Sequence, residues 1–244
     1  MNSNRITWLD AGDPVDAFPD IRDAMLEPNG LLAAGGDLST NRLLHSYQNG
    51  IFPWFEDGQP ILWWSPDPRC ILRPADFNTS SRMRRSIASS CATITFNQSF
   101  TEVIRACAGP RRSEQGTWIT DDMINAYALL HAEGWAHSIE VREHGELTGG
   151  MYGIAIGRVF FGESMFSHKT NASKLAMLAL CEVLENEGFA MIDCQVESQH
   201  LMTLGAVSIS RQEFADMLDS ACPQQTRFDH WPETPVAVSD LRPK

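Results

Sequence analysis

The segment from His137 to Val196 constrains the fold more than any other part of the chain. His137–Val141, Leu147–Ile156 and Arg158–Glu163 read as three successive strands, with turns at Glu143-His-Gly-Glu146 and at Gly157. A helix follows from about Ala172 to Glu187, where Gly188 stops it, and Phe189–Val196 then forms a near-continuous apolar strand. Antiparallel strands followed by a helix and a further strand predict a mixed sheet with helices packed on it. The expected class is α+β.

Upstream the pattern is less regular. Residues 1–60 are turn-rich and aromatic, with Phe18-Pro19, Glu27-Pro-Asn-Gly30, Gly35-Gly36-Asp37 and Phe52-Pro-Trp54. A short helix is expected from about Thr40 to Asn49, between Ser39 as N-cap and Gly50. Ile61–Trp64 and Cys70–Arg73 read as strands, and Ser81–Ser89 as a helix with Met83 and Ile87 on its inner stripe. Ser99-x-x-Glu102 and Ser210-x-x-Glu213 have the spacing of capping boxes, and Thr120 caps a helix running to about Glu133. After Cys222 the chain reads as a proline-punctuated tail. The expected division is a smaller N-terminal domain over 1–112 and an α+β core over 113–244.

The chain has 244 residues, 43% hydrophobic and 20% charged, which is ordinary for a globular protein and unlike a disordered one. Its longest apolar run, Leu175–Cys181, is too short to span a bilayer, and Met1–Ile6 lacks the apolar core of a signal peptide. The six cysteines are scattered without a CxxC pair or metal-like spacing to histidine. They predict a reduced, cytoplasmic protein with no bound metal. A net charge of −12 argues against broad nucleic-acid binding. Between Pro66 and Arg112, however, eight arginines face three acids, a net of +5 that leaves −17 for the rest. This asymmetry suggests two binding surfaces of opposite sign, although solvated arginines balancing distant acids would produce the same count.

Two short runs concentrate polar groups in apolar surroundings. Glu163, Ser164 and Ser167 follow the strand Gly157–Phe161, just ahead of a helix start, where α/β proteins commonly assemble sites. Asp193 and Gln195 lie two apart, on one face of a strand expected to be buried. A buried carboxylate and amide are costly unless partnered, so they either satisfy each other and nearby backbone or serve chemistry. Other constellations fail. Gly30–Asp37 has the glycines of a phosphate loop but lacks its lysine and puts a carboxylate where a hydroxyl belongs, so it reads as a turn. Cys194 alternates with Asp193 and Gln195 and so faces away from them, as a packed cysteine. The segment Ser167–Ser173, ahead of the central helix, has no glycine and therefore no CoA pyrophosphate loop.

These stretches together resemble the leucyl/phenylalanyl-tRNA–protein transferase family. The matching runs include Glu27–Leu32, Gly35–Leu38, Gly50–Phe55, Leu62–Arg69, Gly116–Ile119, Ala136–Glu140, Gly149–Gly153, Gly162–Ser167, Asn171–Lys174 and Ile192–Gln195. They run in unbroken order from about residue 18 to residue 214. The resemblance implies an acetyltransferase-like (GNAT) C-terminal domain whose acyl donor is aminoacyl-tRNA, which accounts for the missing CoA loop. The activity it implies is transfer of Leu, Phe or sometimes Met to the N-terminal Arg or Lys of a protein, marking that protein for degradation.

The resemblance also implies roles for individual residues. Asp193 and Gln195 become the catalytic pair, Asp193 as general base or electrostatic positioner with Gln195 fixing it or the amine, and Glu163 becomes the negative group that meets the cationic acceptor. Met151, Phe160, Met165, Leu180 and Ile192 become the lining of an apolar donor pocket, with methionines adapting to flexible or aromatic side chains. Trp54 and Trp118 are expected to stack on the terminal adenine of tRNA, and Arg82, Arg84 and Arg85 to grip its phosphates. Aminolysis of an ester is downhill, so no cofactor is expected, and nothing demands more than a monomer. Two alternatives stay open on sequence: a non-catalytic RNA- or N-degron-binding module, and a CoA-dependent acetyltransferase, which the absent loop disfavours.

Overall fold

The computed structural model describes residues 6–109 and 119–242. The N-terminal elements are β1 (Thr7–Leu9), β2 (Leu31–Gly35), α1 (Thr40–Gln48), β3 (Phe52–Pro53) and β4 (Leu62–Trp64). They are followed by β5 (Arg69–Leu72), α2 (Ser81–Ala88), β6 (Thr93–Phe96), α3 (Phe100–Ala108) and α4 (Asp121–Ala132). The meander comprises β7 (Ala136–Glu143), β8 (Glu146–Ile156) and β9 (Val159–Ser167), and leads into α5 (Ala172–Asn186) and β10 (Met191–Gln195). The chain continues through α6 (Gln199–Thr203), β11 (Val207–Ile209), α7 (Arg211–Ala221) and β12 (Val236–Ala237).

Two sheets result, a small one in the order β1-β2-β4-β3 and an eight-stranded one in the order β11-β5-β10-β9-β8-β7-β6-β12. The tight turns of the meander force antiparallel pairing of β7, β8 and β9. The crossover through α5 then returns β10 parallel to β9. This is the mixed sheet that the sequence pattern predicts, with the meander–helix–parallel-strand order of an acetyltransferase-like core.

Apolar residues cover both faces. On one face, Phe100, Tyr127, Phe161 and Phe214 share a core with Leu9, Leu43 and Trp63 from the N-terminal elements. On the other, α5 is apolar nearly all round and packs with Met83 and Ile87 of α2. Glycine makes this approach possible. A Cβ at Gly149 would stand 2.4 Å from the Cβ of Ala172, and one at Gly153 would stand 2.5 Å from the ring of Phe160.

Several sequence expectations change in the structure. Gly30–Asp37 contains the buried strand β2 between left-handed glycines, rather than only a turn. Ser99 does not cap α3, because Arg142 donates to its hydroxyl and also pairs with Glu102, drawing both partners away from a capping box. At Ser210 and Glu213 the box forms as expected. The tail after Cys222 is ordered: β12 pairs with β6, and Phe228, Val238 and Leu241 are buried. Both β5 and β6, which precede residue 112, belong to the large sheet.

Candidate active site

The site lies where two neighbouring strands part. Parallel pairing of β9 with β10 runs from Val159↔Met191 to Phe161↔Asp193 and goes no further. Each strand has a bulge at this point. On β9, Glu163 is the extra residue between the pairs Tyr152↔Ser164 and Gly153↔Gly162. On β10, Cys194 is the extra residue between Asp193↔Ile71 and Gln195↔Cys70, and Gln195 adopts a left-handed φ of 65°. Bulges re-aim side chains, and these two turn Glu163 and Gln195 toward each other. Gln195 Nε2 donates to Glu163 Oε1 at 2.8 Å.

Asp193 is fully buried and does not meet the Gln195 amide directly. Arg69, at the start of β5, donates from Nε to Oδ1 at 2.8 Å and from Nη2 to Oδ2 at 2.6 Å. The Gln195 backbone N–H donates to Oδ1 at 2.9 Å. The third nitrogen of Arg69 reaches the Gly50 carbonyl at 3.0 Å. The rings of Phe52 and Phe214 lie 4.8 and 4.4 Å from its guanidinium carbon. A two-point pair of this kind fixes a plane. Asp193 thereby sets the backbone turn that aims Gln195.

Glu163 has a different environment. Tyr47 Oη lies 2.7 Å from its Oε1 and Tyr127 Oη 3.0 Å from its Oε2, and the two phenols also hydrogen-bond each other. Burial raises both phenols well above their usual range, so both keep their protons. Burial also raises Glu163, from an ordinary 4.5 to about 7, against the donors that favour its ionised form. Proton counting supports the same direction. Three oxygen–oxygen contacts join the three groups, and the ionised set has two hydrogens to place among them, whereas the protonated set has three. The carboxyl of Glu163 is therefore poised to gain or lose a proton near neutral pH.

Beside this group lies a cavity of about 210 Å³. Met151, Met165, Met177, Ile192, Cys194 and Leu201 supply its apolar lining, and Glu163 reaches it at one side. Drug-sized ligand pockets begin at roughly 300 Å³, so this one suits a single side chain. Of the five residues expected to line a pocket, Met151, Met165 and Ile192 do so. Phe160 and Leu180 are fully buried and pack in the core behind it. Cys194 faces away from Asp193, as alternation requires, but toward the cavity. Its contact with Cys70 and its burial push the thiol well up, which keeps it protonated.

The remaining expected residues are more dispersed. Trp54 is 45% exposed and tilts against Trp64, whose Nε1 donates to its carbonyl at 2.7 Å. Trp118 lies outside the described residues. Arg82, Arg84 and Arg85 are all exposed on α2. Arg82 and Arg85 border a groove of about 460 Å³ with Ser86, Ser89, Thr170 and Asn171, the last at the start of α5. Sequence reasoning did not single out Tyr47, Tyr127, Arg69, Met177 or Leu201. A signal existed for Arg69, a cation opening the otherwise apolar strand Cys70–Leu72. Nothing in the two helices marked Tyr47 or Tyr127 as partners.

A strand meander, a central helix and parted parallel strands define an acetyltransferase-like scaffold, and a buried carboxylate stands in the gap. The chain belongs to the leucyl/phenylalanyl-tRNA–protein transferase family: the model of that transferase matches residues 71–219, and that of its N-terminal domain matches residues 36–67. The leucyl/phenylalanyl-tRNA–protein transferase of Nitrosospira multiformis is 50% identical over 93% of this chain and 96% of its own length. That of Pseudomonas entomophila is 53% identical over 87% and 93%, and that of Hahella chejuensis is 56% identical over 88% and 90%. Among solved structures, AAC(6')-Iy in complex with a CoA-based bisubstrate analogue aligns with a TM-score of 0.34 at 13% identity, over 59% of this chain and 99% of its own. No helix among the described residues is long and apolar enough to cross a membrane.

Proposed function

We propose that this chain moves a leucyl, phenylalanyl or methionyl group from its tRNA to the N-terminal Arg or Lys of an acceptor protein. The peptide bond so formed marks the acceptor for degradation by the N-degron route. The observation that carries the reading is Glu163, a buried carboxyl raised to about 7, at the edge of a one-side-chain cavity and hydrogen-bonded to Gln195.

The aminoacyl ester already holds the free energy for the new bond. What the reaction needs is a neutral α-amine in position, and its free pKa of about 7.7–8 makes the required help modest. Above pH 7 the ionised Glu163 attracts the cationic terminus and takes the proton that the amine sheds as its nitrogen attacks the ester carbonyl. The ester C–O bond breaks as the C–N bond forms, and Glu163 returns the proton to the departing 3'-oxygen of the tRNA. The tyrosine pair donates to the carboxylate and holds it in place for that transfer. Gln195 spends one amide N–H on Glu163, leaving its carbonyl oxygen to accept from the attacking amine. Asp193 acts through Gln195 as a positioning group rather than as the base, because it is fully buried against Arg69 and does not reach the cavity, whereas Glu163 lines it.

On this reading the donor side chain enters between Met151, Met165, Met177 and Ile192, where thioethers adapt to Leu, Phe or Met. Trp54 and Trp118 hold the terminal adenosine, and Arg82, Arg84 and Arg85 hold acceptor-stem phosphates. The protein works in the cytoplasm as a single chain. The N-terminal part ends near Pro68 rather than at residue 112, a division supported by the sheet membership of β5 and by the two family matches.

The test is transfer of radiolabelled leucine from Leu-tRNA to a peptide beginning with Arg, beside a peptide beginning with Ala. Label in the Arg peptide alone, abolished by ribonuclease, supports the proposal. Binding of both partners without transfer would favour a recognition module.

A further inference from the structure

A second constellation lies away from Glu163, at the junction of β6 with the β7–β8 turn. Cys91 precedes β6, Glu143 ends β7, and His144 follows in the turn with a left-handed φ of 53°. Cys91 Sγ lies 3.5 Å from Glu143 Oε1 and 3.8 Å from His144 Nε2, and the three ligand atoms all fall within 4.8 Å of one another. Of the six cysteines, Cys91 is the exposed one.

The two sulfur separations are close to the edges of a tetrahedral coordination shell. Zinc binds thiolate at about 2.3 Å and imidazole or carboxylate at about 2.0–2.2 Å. At the tetrahedral angle such bonds place sulfur about 3.5 Å from either nitrogen or oxygen. We propose that Cys91, Glu143 and His144 form a three-ligand site for a borderline-soft divalent cation of the zinc class, with a water in the fourth position. The donor set of thiolate, imidazole and one carboxylate suits zinc rather than magnesium or calcium, which prefer all-oxygen shells.

The surroundings agree with this assignment. Lys169 donates to Glu143 Oε2 at 2.7 Å, so Oε1 is the oxygen turned toward Cys91. A bond to the outer oxygen of a ligating carboxylate orients the inner one. Cys91, Glu143 and Lys169 border a cavity of about 530 Å³, which leaves room for an exchangeable water. On binding, the Cys91 thiol releases its proton to solvent and the thiolate lone pair forms the metal–sulfur bond. The cavity shares Ser86, Ser89 and Thr170 with the groove bordered by Arg82 and Arg85, so a bound cation would add positive charge along that face.

Cobalt(II) is the probe, because a cobalt–thiolate bond gives a charge-transfer absorption band. Titration of the full chain is expected to develop this band at one cobalt per chain, and zinc is expected to displace the cobalt. Cys91→Ser, at an exposed position where folding is unaffected, is expected to lose the band. His144→Asn, which tolerates the left-handed backbone, is expected to keep the band with affinity at least about tenfold weaker. A wild-type protein without the band at millimolar cobalt overturns the proposal. So does a band that survives in Cys91→Ser, since the thiolate would then belong to another cysteine. Neither result depends on transferase activity.

Discussion

Arg69 and Asp193 meet in a two-point ion pair that is closed to solvent on both sides, between the rings of Phe52 and Phe214. Removing one member leaves the other charge buried and unpaired. Asp193→Asn is therefore expected to lose about 3–5 kcal/mol of stability, measured by urea unfolding. Replacing both, as Arg69→Met with Asp193→Leu, is expected to recover most of that stability without recovering transfer. If Asp193→Asn kept near wild-type stability and full turnover, the pair would have neither a structural nor a positioning role.

The base assignment predicts a pH profile. Glu163 titrates at about 7 and must be ionised to accept a proton, so kcat/KM for the Arg peptide should rise through about pH 7. Glu163→Gln should remove the component of the rise near pH 7, leaving only that of the substrate amine near pH 8, and lower the rate at pH 8 by about a hundredfold or more. Asp193→Asn should lower the rate and, by removing a neighbouring negative charge, move the rise to lower pH without abolishing it. A profile that lost its rise in the Asp193 variant and kept it in the Glu163 variant would reverse the two roles.

Tyr127→Phe tests the same carboxyl from outside. Tyr127 donates to Glu163 and so favours the ionised form. Its loss should move the rise to higher pH, and an unpaired carboxylate oxygen should cost about 1–3 kcal/mol in unfolding experiments. A shift to lower pH would contradict the direction of that hydrogen bond.

Stability should also depend on pH through Glu163. The folded value, about 7, lies above the ordinary 4.5, so the folded state binds the proton more tightly than the unfolded state. Stability from this group is present below about 4.5 and is lost as pH rises through 7. Between pH 5 and pH 8, Glu163→Gln should gain about 2.5 kcal/mol relative to the wild type. Comparing variant with wild type at each pH cancels the opposite slope from His137. Burial lowers that histidine to about 3, and its charging weakens the fold in acid.

On α2, Arg82→Ala with Arg85→Ala should weaken tRNA binding and reduce its logarithmic salt slope by about 2. Met83 and Ile87 anchor this helix, so the double variant should stay folded. Unchanged affinity at every salt concentration would remove the groove from the tRNA path.

Much of the larger sheet was legible because periodicity and turn chemistry are local. Gly157 and the Glu143–Glu146 turn mark the meander, and Gly188 ends α5 where expected. Strands β2 and β6 escaped notice because each is short and gains its stability from partners distant in sequence. The Ser99 box failed for a similar reason, since Arg142 lies 43 residues away. At the site, Asp193, Gln195 and Glu163 stood out as polar residues in apolar runs. Their division of labour did not, because it depends on Arg69, 124 residues from Asp193, and on Tyr47, 116 residues from Glu163. The chain has three tyrosines, all buried, and no local rule says which carboxylate two of them will meet.

The paired bulges separate two properties that are often tangled. The positions of Glu163 and Gln195 depend on strand length, one residue more on β9 and on β10 than on the neighbour of each. The width of the cavity depends instead on the size of Met151, Met177, Cys194 and Leu201. Strand length thus places the polar pair and residue size shapes the cavity beside it, so, on the proposed reading, substitutions along the cavity wall would retune donor choice while Glu163 and Gln195 keep their places.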